Sequence, residues 1–312
     1  MQSWMVAALN GLSYGLLLFM LSSGLTLIFS MLGVLNFAHA SFYMLGAYVG
    51  YTVAARAGFW PALVLAPLAV GAVGAMLERH LLRRVRAHGP LHELLLTFGV
   101  AYLLAEAVKL IWGLGTLSIP LPPALDAPLF VWHGTAFSRY RAFMMAASVS
   151  TLGALAVVLR FSRTGLVLRA ALTHAHAVQA LGHDVPRIAT LVFALGTALA
   201  ALAGVIGAPL AVLEPGMAEA VGSIVFVVVI VGGLGSLVGA FVASLAIGFV
   251  QTFAATSTLS LGTLAAAAGL PLAPAWAQLS VAQLAPLVPY VLLVAMLACR
   301  PRGLFGQRGA DA

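Results

Sequence analysis

FSRTGLVLRAALTHAHAVQALGHDVPR, residues Phe161 to Arg187, is the longest stretch of the chain that is both basic and bounded on each side by apolar segments of membrane length. Those flanks decide the fold. Of 312 residues, 62% are hydrophobic and only 7% are charged, against about 25% charged in soluble domains. Mean hydropathy is +1.09. The chain therefore reads as an all-α, polytopic integral membrane protein, residues 1–312 forming one transmembrane domain from which 161–187 emerges as a loop.

Working outward, apolar runs long enough to cross a bilayer fall at roughly 5–30, 37–55, 60–77, 93–112, 142–159, 188–212 and 284–298. A further run, roughly 220–255, is too long for one span and is broken by Gly232, Gly233, Gly235 and Gly239. Splitting it at a tight glycine turn gives about nine spans. The first run lacks a basic region before it and reads as a retained span rather than a signal peptide. Between 113 and 138, Pro120, Pro122, Pro123 and Pro128 exclude a helix, so this is an external loop.

Most basic residues sit in short loops. Arg79, Arg83, Arg84 and Arg86 precede the fourth span; Arg160, Arg163, Arg169 and Arg187 surround the opening stretch; Arg300, Arg302 and Arg308 close the chain. With nine spans all three clusters share one side, and only Arg56, Arg139 and Arg141 fall opposite. The positive-inside rule makes the crowded side cytoplasmic, with the N-terminus outside and the C-terminus inside. The net charge of +7 is thus explained by orientation, without nucleic acid. The single cysteine, Cys299, can form no internal disulfide.

Within the opening stretch, Ser162 or Thr164 can cap a helix running from near Gly165 to about Leu181, Gly182 stops it, and Pro186 forbids continuation. Two readings stand. The helix is either an interfacial element anchored to lipid through Arg163 and Arg169, or a docking element presenting the small side chains Ala170, Ala171, Ala175, Ala177 and Ala180. His174, His176 and His183 make no metal site: positions two apart on a helix face different ways, and nothing completes the ligand set.

Asn36 and His39, three residues apart at the start of the second span, are costly in hydrocarbon unless paired. They either hydrogen-bond between helices or line a path or gate. Glu106 can pair with Lys109 on one helical face or meet a substrate amine. The glycines 232 to 239 lack the Gly-Lys-Ser/Thr ending of a phosphate loop and read as helix packing and a turn.

Four dispersed stretches, GLTLIFSMLGVLNFAHASFYMLGAYV (Gly24 to Val49), Thr164 to Ile206, VIVGGLGSLVGAFVASLAIGF (Val229 to Phe249) and RPRGLFG (Arg300 to Gly306), resemble in order the branched-chain amino acid ABC transporter permeases. They are most similar to the permease type carrying an NFAHG-like signature, with Ala40 replacing its glycine. The resemblance implies that this chain is a non-enzymatic permease subunit of a bacterial inner-membrane importer. It implies no cofactor on this chain, ATP and Mg on two cytoplasmic ATP-binding partners, a second homologous permease, and an external solute-binding protein. By the same resemblance Arg169, Ala170, Ala177, Leu181 and Gly182 form the loop that couples to the ATPases, and Asn36 and His39 fall in the family signature; a place for them, and for Glu106 by its own charge, on the translocation path or gate is an expectation. The solute could be a branched-chain amino acid, urea, a short amide or an aromatic acid. A secondary transporter or channel is the alternative, and it lacks intramembrane carboxylates for ion coupling.

Overall fold

The computed structural model describes residues 4–132, 134–267, 269 and 274–306. The helices are α1 (Trp4–Leu32), α2 (His39–Ala57), α3 (Phe59–Leu77), the short α4 (Arg83–Val85), α5 (Pro90–Trp112), α6 (Arg139–Phe161), α7 (Arg163–Ala180), α8 (Val185–Gly207), α9 (Met217–Gly232), α10 (Leu237–Thr256), three short pieces α11 (Leu261–Ala267), α12 (Pro274–Ala277) and α13 (Val281–Leu284), and α14 (Val288–Cys299). Among the described residues, seven stretches are long and apolar enough to cross a membrane: α1, α3 with its extension, α5, α6, α8, α10 and the α13–α14 unit. α2, rich in polar and aromatic residues, and the 16-residue α9 fall short of that standard, so the nine-span reading exceeds the seven by these two helices.

Where the sequence promised only an ordered external loop, the structure forms a β-hairpin. β1 (Pro128–Trp132) pairs antiparallel with β2 (Thr135–Ser138), placing Phe130 opposite Phe137, whose rings stack at 5.5 Å. Gly134, at φ +77°, supplies the turn. Burying one aromatic pair offsets the chain entropy of the turn, a cross-strand effect that proline counting misses.

The core is α1, α2 and α8, with α3, α9 and α10 around them. Small residues bring these helices together. α2 and α8 run parallel, with Gly46 against Ala201 and Gly204 against the Tyr43 carbonyl; α1 and α10 run antiparallel, with Gly15 against Gly248 and Ser30 against Gly235. In a bilayer, where lipid is as apolar as leucine, such backbone approach rather than hydrophobic burial supplies much of the packing energy. α5, α6 and α14 present most of their surface outward.

The α3–α5 turn, α7, the α9–α10 turn and residues 300–306 all lie at one end of the bundle. Arg83 Nη2 donates to the Pro186 carbonyl at 2.8 Å, and Leu304 and Phe305 N–H groups donate to the Val231 and Gly232 carbonyls at 2.9 and 3.0 Å. Gly232 meets Gly239 backbone to backbone, and Gly233 (φ +101°) and Gly235 (φ +80°) make the left-handed turn between α9 and α10.

The Gly204 contact yields a prediction. A methyl group at Gly204 would fall on the Tyr43 carbonyl, whereas nothing lies within 4 Å of one at Gly99. G204A should cost about 1–3 kcal/mol by overpacking and lower both the monodisperse yield and the melting temperature of the detergent-purified protein. G99A should leave both unchanged.

Candidate functional site

Two polar constellations stand out, one inside the bundle and one at its basic end. The first lies where α1 hands over to α2. α1 ends at Leu32, and the chain runs through the non-helical residues 33–38 before α2 starts at His39. His39 Nε2 donates to the carbonyl of Leu21 at 2.9 Å, eleven residues before the end of α1 and so about 16 Å along it. The Phe37 N–H donates to Thr97 Oγ1 at 3.3 Å, seven residues into α5 and so about 10 Å from that helix's start. Ser41 with the Ala101 carbonyl and Trp112 with Thr52 Oγ1 keep the same 60-residue offset, so α2 and α5 run parallel in register. Residues 33–38 therefore climb back into the bundle, and α2 begins well inside it.

The sequence reading put Asn36 and His39 on one helical face; instead Asn36 precedes the helix and His39 opens it. Asn36 makes a local turn just before the helix, whose N-cap residue is Ala38. Its Oδ1 accepts from the Ala38 N–H at 3.1 Å and its carbonyl from the His39 N–H at 3.1 Å, satisfying two of the donors that a helix start leaves open. Asn36 and His39 are 2% and 1% exposed, yet Asn36 Nδ2 and His39 Nδ1 have no hydrogen-bond partner. Between them Phe37 points outward, 39% exposed, its ring 5.1 Å from Phe226 of α9 and 6.4 Å from Phe98 of α5.

Glu106 lies apart from this cluster. It forms an ion pair with Lys109 at 2.7 Å on the outer surface of α5, both side chains well exposed.

The second constellation was invisible in the charge count. Beyond Leu77 the helix widens into a π-helical turn, Glu78–Leu82, a form that recurs at functional positions. The Glu78 side chain is fully buried and faces Arg83 at 3.3 Å, Arg86 at 3.5 Å and the Thr190 hydroxyl at 2.5 Å. Arg86 also reaches buried Glu93 at 3.6 Å, and Arg83 binds Thr190 Oγ1 at 2.6 Å as well as the Pro186 carbonyl. The arginines read as orientation charges are thus also a clamp between the α3–α5 turn and the first turn of α8. Two acidic residues, Glu78 and Glu93, bracketing four arginines in a loop between spans were the available signal.

That first turn follows directly from α7. Ser162 caps α7, its Oγ accepting from the Gly165 N–H at 2.9 Å. At the other end Gly182 (φ +85°) closes a Schellman turn, with its N–H on the Gln179 carbonyl and the His183 N–H on that of Val178. Asp184 then caps α8, accepting from the Arg187 N–H at 3.0 Å, and Pro186 sits inside the first turn of α8 rather than before it, where a missing N–H costs nothing. Leu168, Ala171 and Val178 face inward, and Leu168 packs with Leu27 and Val192; Leu166, Arg169, Ala170, Leu181 and Gly182 face outward. Ala171 thus leaves the proposed small-residue face. Arg169 reaches the Arg160 carbonyl at 3.3 Å. The side chains of Arg163, Thr164 and residues 172–177, Ala177, His174 and His176 among them, lie outside the described residues.

The clamp is open to test. E78A leaves Arg83 and Arg86 without their shared carboxylate, and loss of one partner of a buried pair costs up to about 3–5 kcal/mol; with both arginines about a third exposed, the lower end is expected. The melting temperature of purified E78A should fall clearly, and that of E78Q, which keeps an acceptor for Thr190, by less.

Comparison with known proteins places the whole chain. The family described as branched-chain amino acid transport system / permease component matches residues 7–297. The chain is 28% identical over 317 residues to the high-affinity branched-chain amino acid transport system permease protein LivH of Escherichia coli K12, covering 96% of this chain and 94% of that one. It is 29% identical to the corresponding protein BraD of Pseudomonas aeruginosa over 79% of this chain and 84% of the relative. A probable LivH of Methanocaldococcus jannaschii is 28% identical over 77% of each. No solved structure gives a significant match.

Proposed function

Because this chain belongs to the branched-chain amino acid transport permease family, we propose that it is the membrane subunit of a binding-protein-dependent ABC importer for a branched-chain amino acid or a related small amphipathic solute. It is a multi-pass membrane protein and a transport component. In this reading it lies in the bacterial inner membrane with its basic end in the cytoplasm. A second homologous permease completes the pore, two cytoplasmic subunits bind ATP and Mg and hydrolyse ATP, and an external binding protein delivers the solute. This chain itself binds no nucleotide.

The observation that carries the reading is the placement of α7. It is a capped helix lying on the basic end, with one face packed against α1, α6 and α8 and with exposed leucines, Leu166 at 62% and Leu181 at 79%, on the side facing away. A push on that outer face passes through the four-residue turn 181–184 into α8, whose first turn is clamped to α3 and α5 by Arg83 and Glu78. ATPase movement at Arg169 to Gly182 would in this way tilt the core helices and open the path at Asn36 and His39 to alternate sides. Glu106, already paired on the outer surface of α5, serves the path less directly.

Reconstitution tests this. Proteoliposomes holding both permeases should take up solute only with the ATPases, Mg-ATP and the charged binding protein, and L181E should cut uptake at least tenfold while the permease stays in the membrane. Uptake without ATPase subunits would overturn the reading in favour of a secondary transporter or channel.

A further inference from the structure

The end of the bundle opposite α7 carries a feature that the importer reading leaves unused. Where α2 gives way to α3, a cavity of about 370 Å³ is lined by Tyr51, Ala55, Gly58, Phe59 and Trp60 and by the proline-rich segment 119–123. That volume lies in the range of small-ligand sites. Apart from the Tyr51 hydroxyl and the Trp60 indole N–H, the lining side chains are apolar. Trp60 sets the level: it is 52% exposed in the first turn of α3, and tryptophan at the end of a span belongs to the aromatic belt at the membrane–water boundary. Water gains little in such a space, because it needs several polar partners to settle. A hydrocarbon chain does not.

Charge narrows the occupant. Arg56 falls between the lining residues Ala55 and Gly58. On α6, Arg139 and Arg141 flank Tyr140 in the turn that packs on the cavity wall, with the Tyr140 and Phe143 rings each 6.0 Å from Phe59 and Phe143 5.5 Å from Trp60. These are the three arginines that the positive-inside rule leaves on the sparse side. Among the described residues none of them makes an ion pair. Asp126 lies one residue from the Ala127 carbonyl that accepts the Arg139 N–H at 3.0 Å, yet pairs with none of them. Arg141 is half-buried, so its charge is held against the protein without a counter-ion. An acidic protein surface would answer the arginines and leave the cavity empty. A zwitterionic lipid would fill the cavity and leave the net charge unanswered. An anionic phospholipid does both, and guanidinium groups suit its phosphate oxygens.

We propose that the α2–α3 turn, the 119–123 segment and the first turn of α6 form a site for one anionic phospholipid, with an acyl chain in the cavity and its phosphate among Arg56, Arg139 and Arg141. The bound lipid ties α6, which presents most of its surface outward, to the corner of the core that Phe59 and Tyr140 share. The site does not depend on the importer reading.

The test uses the full chain, purified in detergent, freed of lipid and returned to phosphatidylglycerol or phosphatidylcholine with the same acyl chains. By native mass spectrometry one phosphatidylglycerol should stay bound where phosphatidylcholine does not, and the melting temperature should be at least about 4 °C higher in phosphatidylglycerol. R56Q/R139Q/R141Q should bind the two lipids alike. A55W, which fills the cavity, should retain neither, and L121W fills it from the other wall should A55W not be recovered. Glycerol 3-phosphate, the anion without the chains, should leave the melting temperature unchanged. Equal retention of the two lipids by the parent, an undiminished preference in the triple variant, or phosphatidylglycerol retained by the filled cavity would overturn the proposal. A shift reproduced by glycerol 3-phosphate would also overturn it, as a free-phosphate site. A triple variant that keeps the lipid preference and loses only capture of the external binding protein would overturn it in favour of an acidic protein surface.

Discussion

Every peptide group that leaves a helix inside a bilayer must find another hydrogen-bond partner, and this constraint falls on the break between α1 and α2. Residues 33–38 re-enter the bundle between α1 and α2. Three of their N–H groups, and that of His39, are met locally or by one neighbour: Gly33 N–H on the Phe29 carbonyl, Phe37 N–H on Thr97, Ala38 and His39 N–H on Asn36. Thr97 is itself buried, so α5 must run beside α2 in fixed register to place that hydroxyl. The Leu21 carbonyl, which takes the His39 ring, and the Thr97 hydroxyl, which takes the Phe37 N–H, fix α1 and α5 around the start of α2.

Small residues then let the remaining helices close on that framework. α8 approaches α2 at Gly46 and Gly204 and α1 at Gly24 and Gly196, nearly backbone to backbone. Close approach leaves little room for continuous deformation, so the core responds to force by moving whole helices. The α8 first turn is where such force would enter. It is joined to α7 by a Schellman turn on one side and to α3 and α5 by the Glu78 clamp on the other.

Much of this was legible in the sequence, and the divide is physical. Membrane spans are announced by length and hydropathy because lipid enforces both, so the runs at 5–30, 60–77, 93–112 and 188–212 correspond to α1, α3, α5 and α8. The ends of α7 were legible too, since Ser162 and Gly182 act through bonds to near neighbours. Contacts between distant segments were not. Asn36 and His39 were recognisable as unusual, but their depth depends on Leu21 and Thr97, and nothing local to NFAH fixes it. Glu78 and Thr190, 112 residues apart, meet only because α3 and α8 pack together, and the hairpin at 128–138 depends on an aromatic pair across its turn. The family resemblance identified the kind of machine.

The account stands on the level at which α2 begins, and disulfide cross-linking measures that level directly. In a C299S background, which removes the single native cysteine, oxidation should join F37C to T97C and leave F37C and L91C unjoined, because Phe37 sits beside Thr97, well above the start of α5. Efficient cross-linking of F37C to L91C with none to T97C would place the start of α2 at the membrane face and contradict the account.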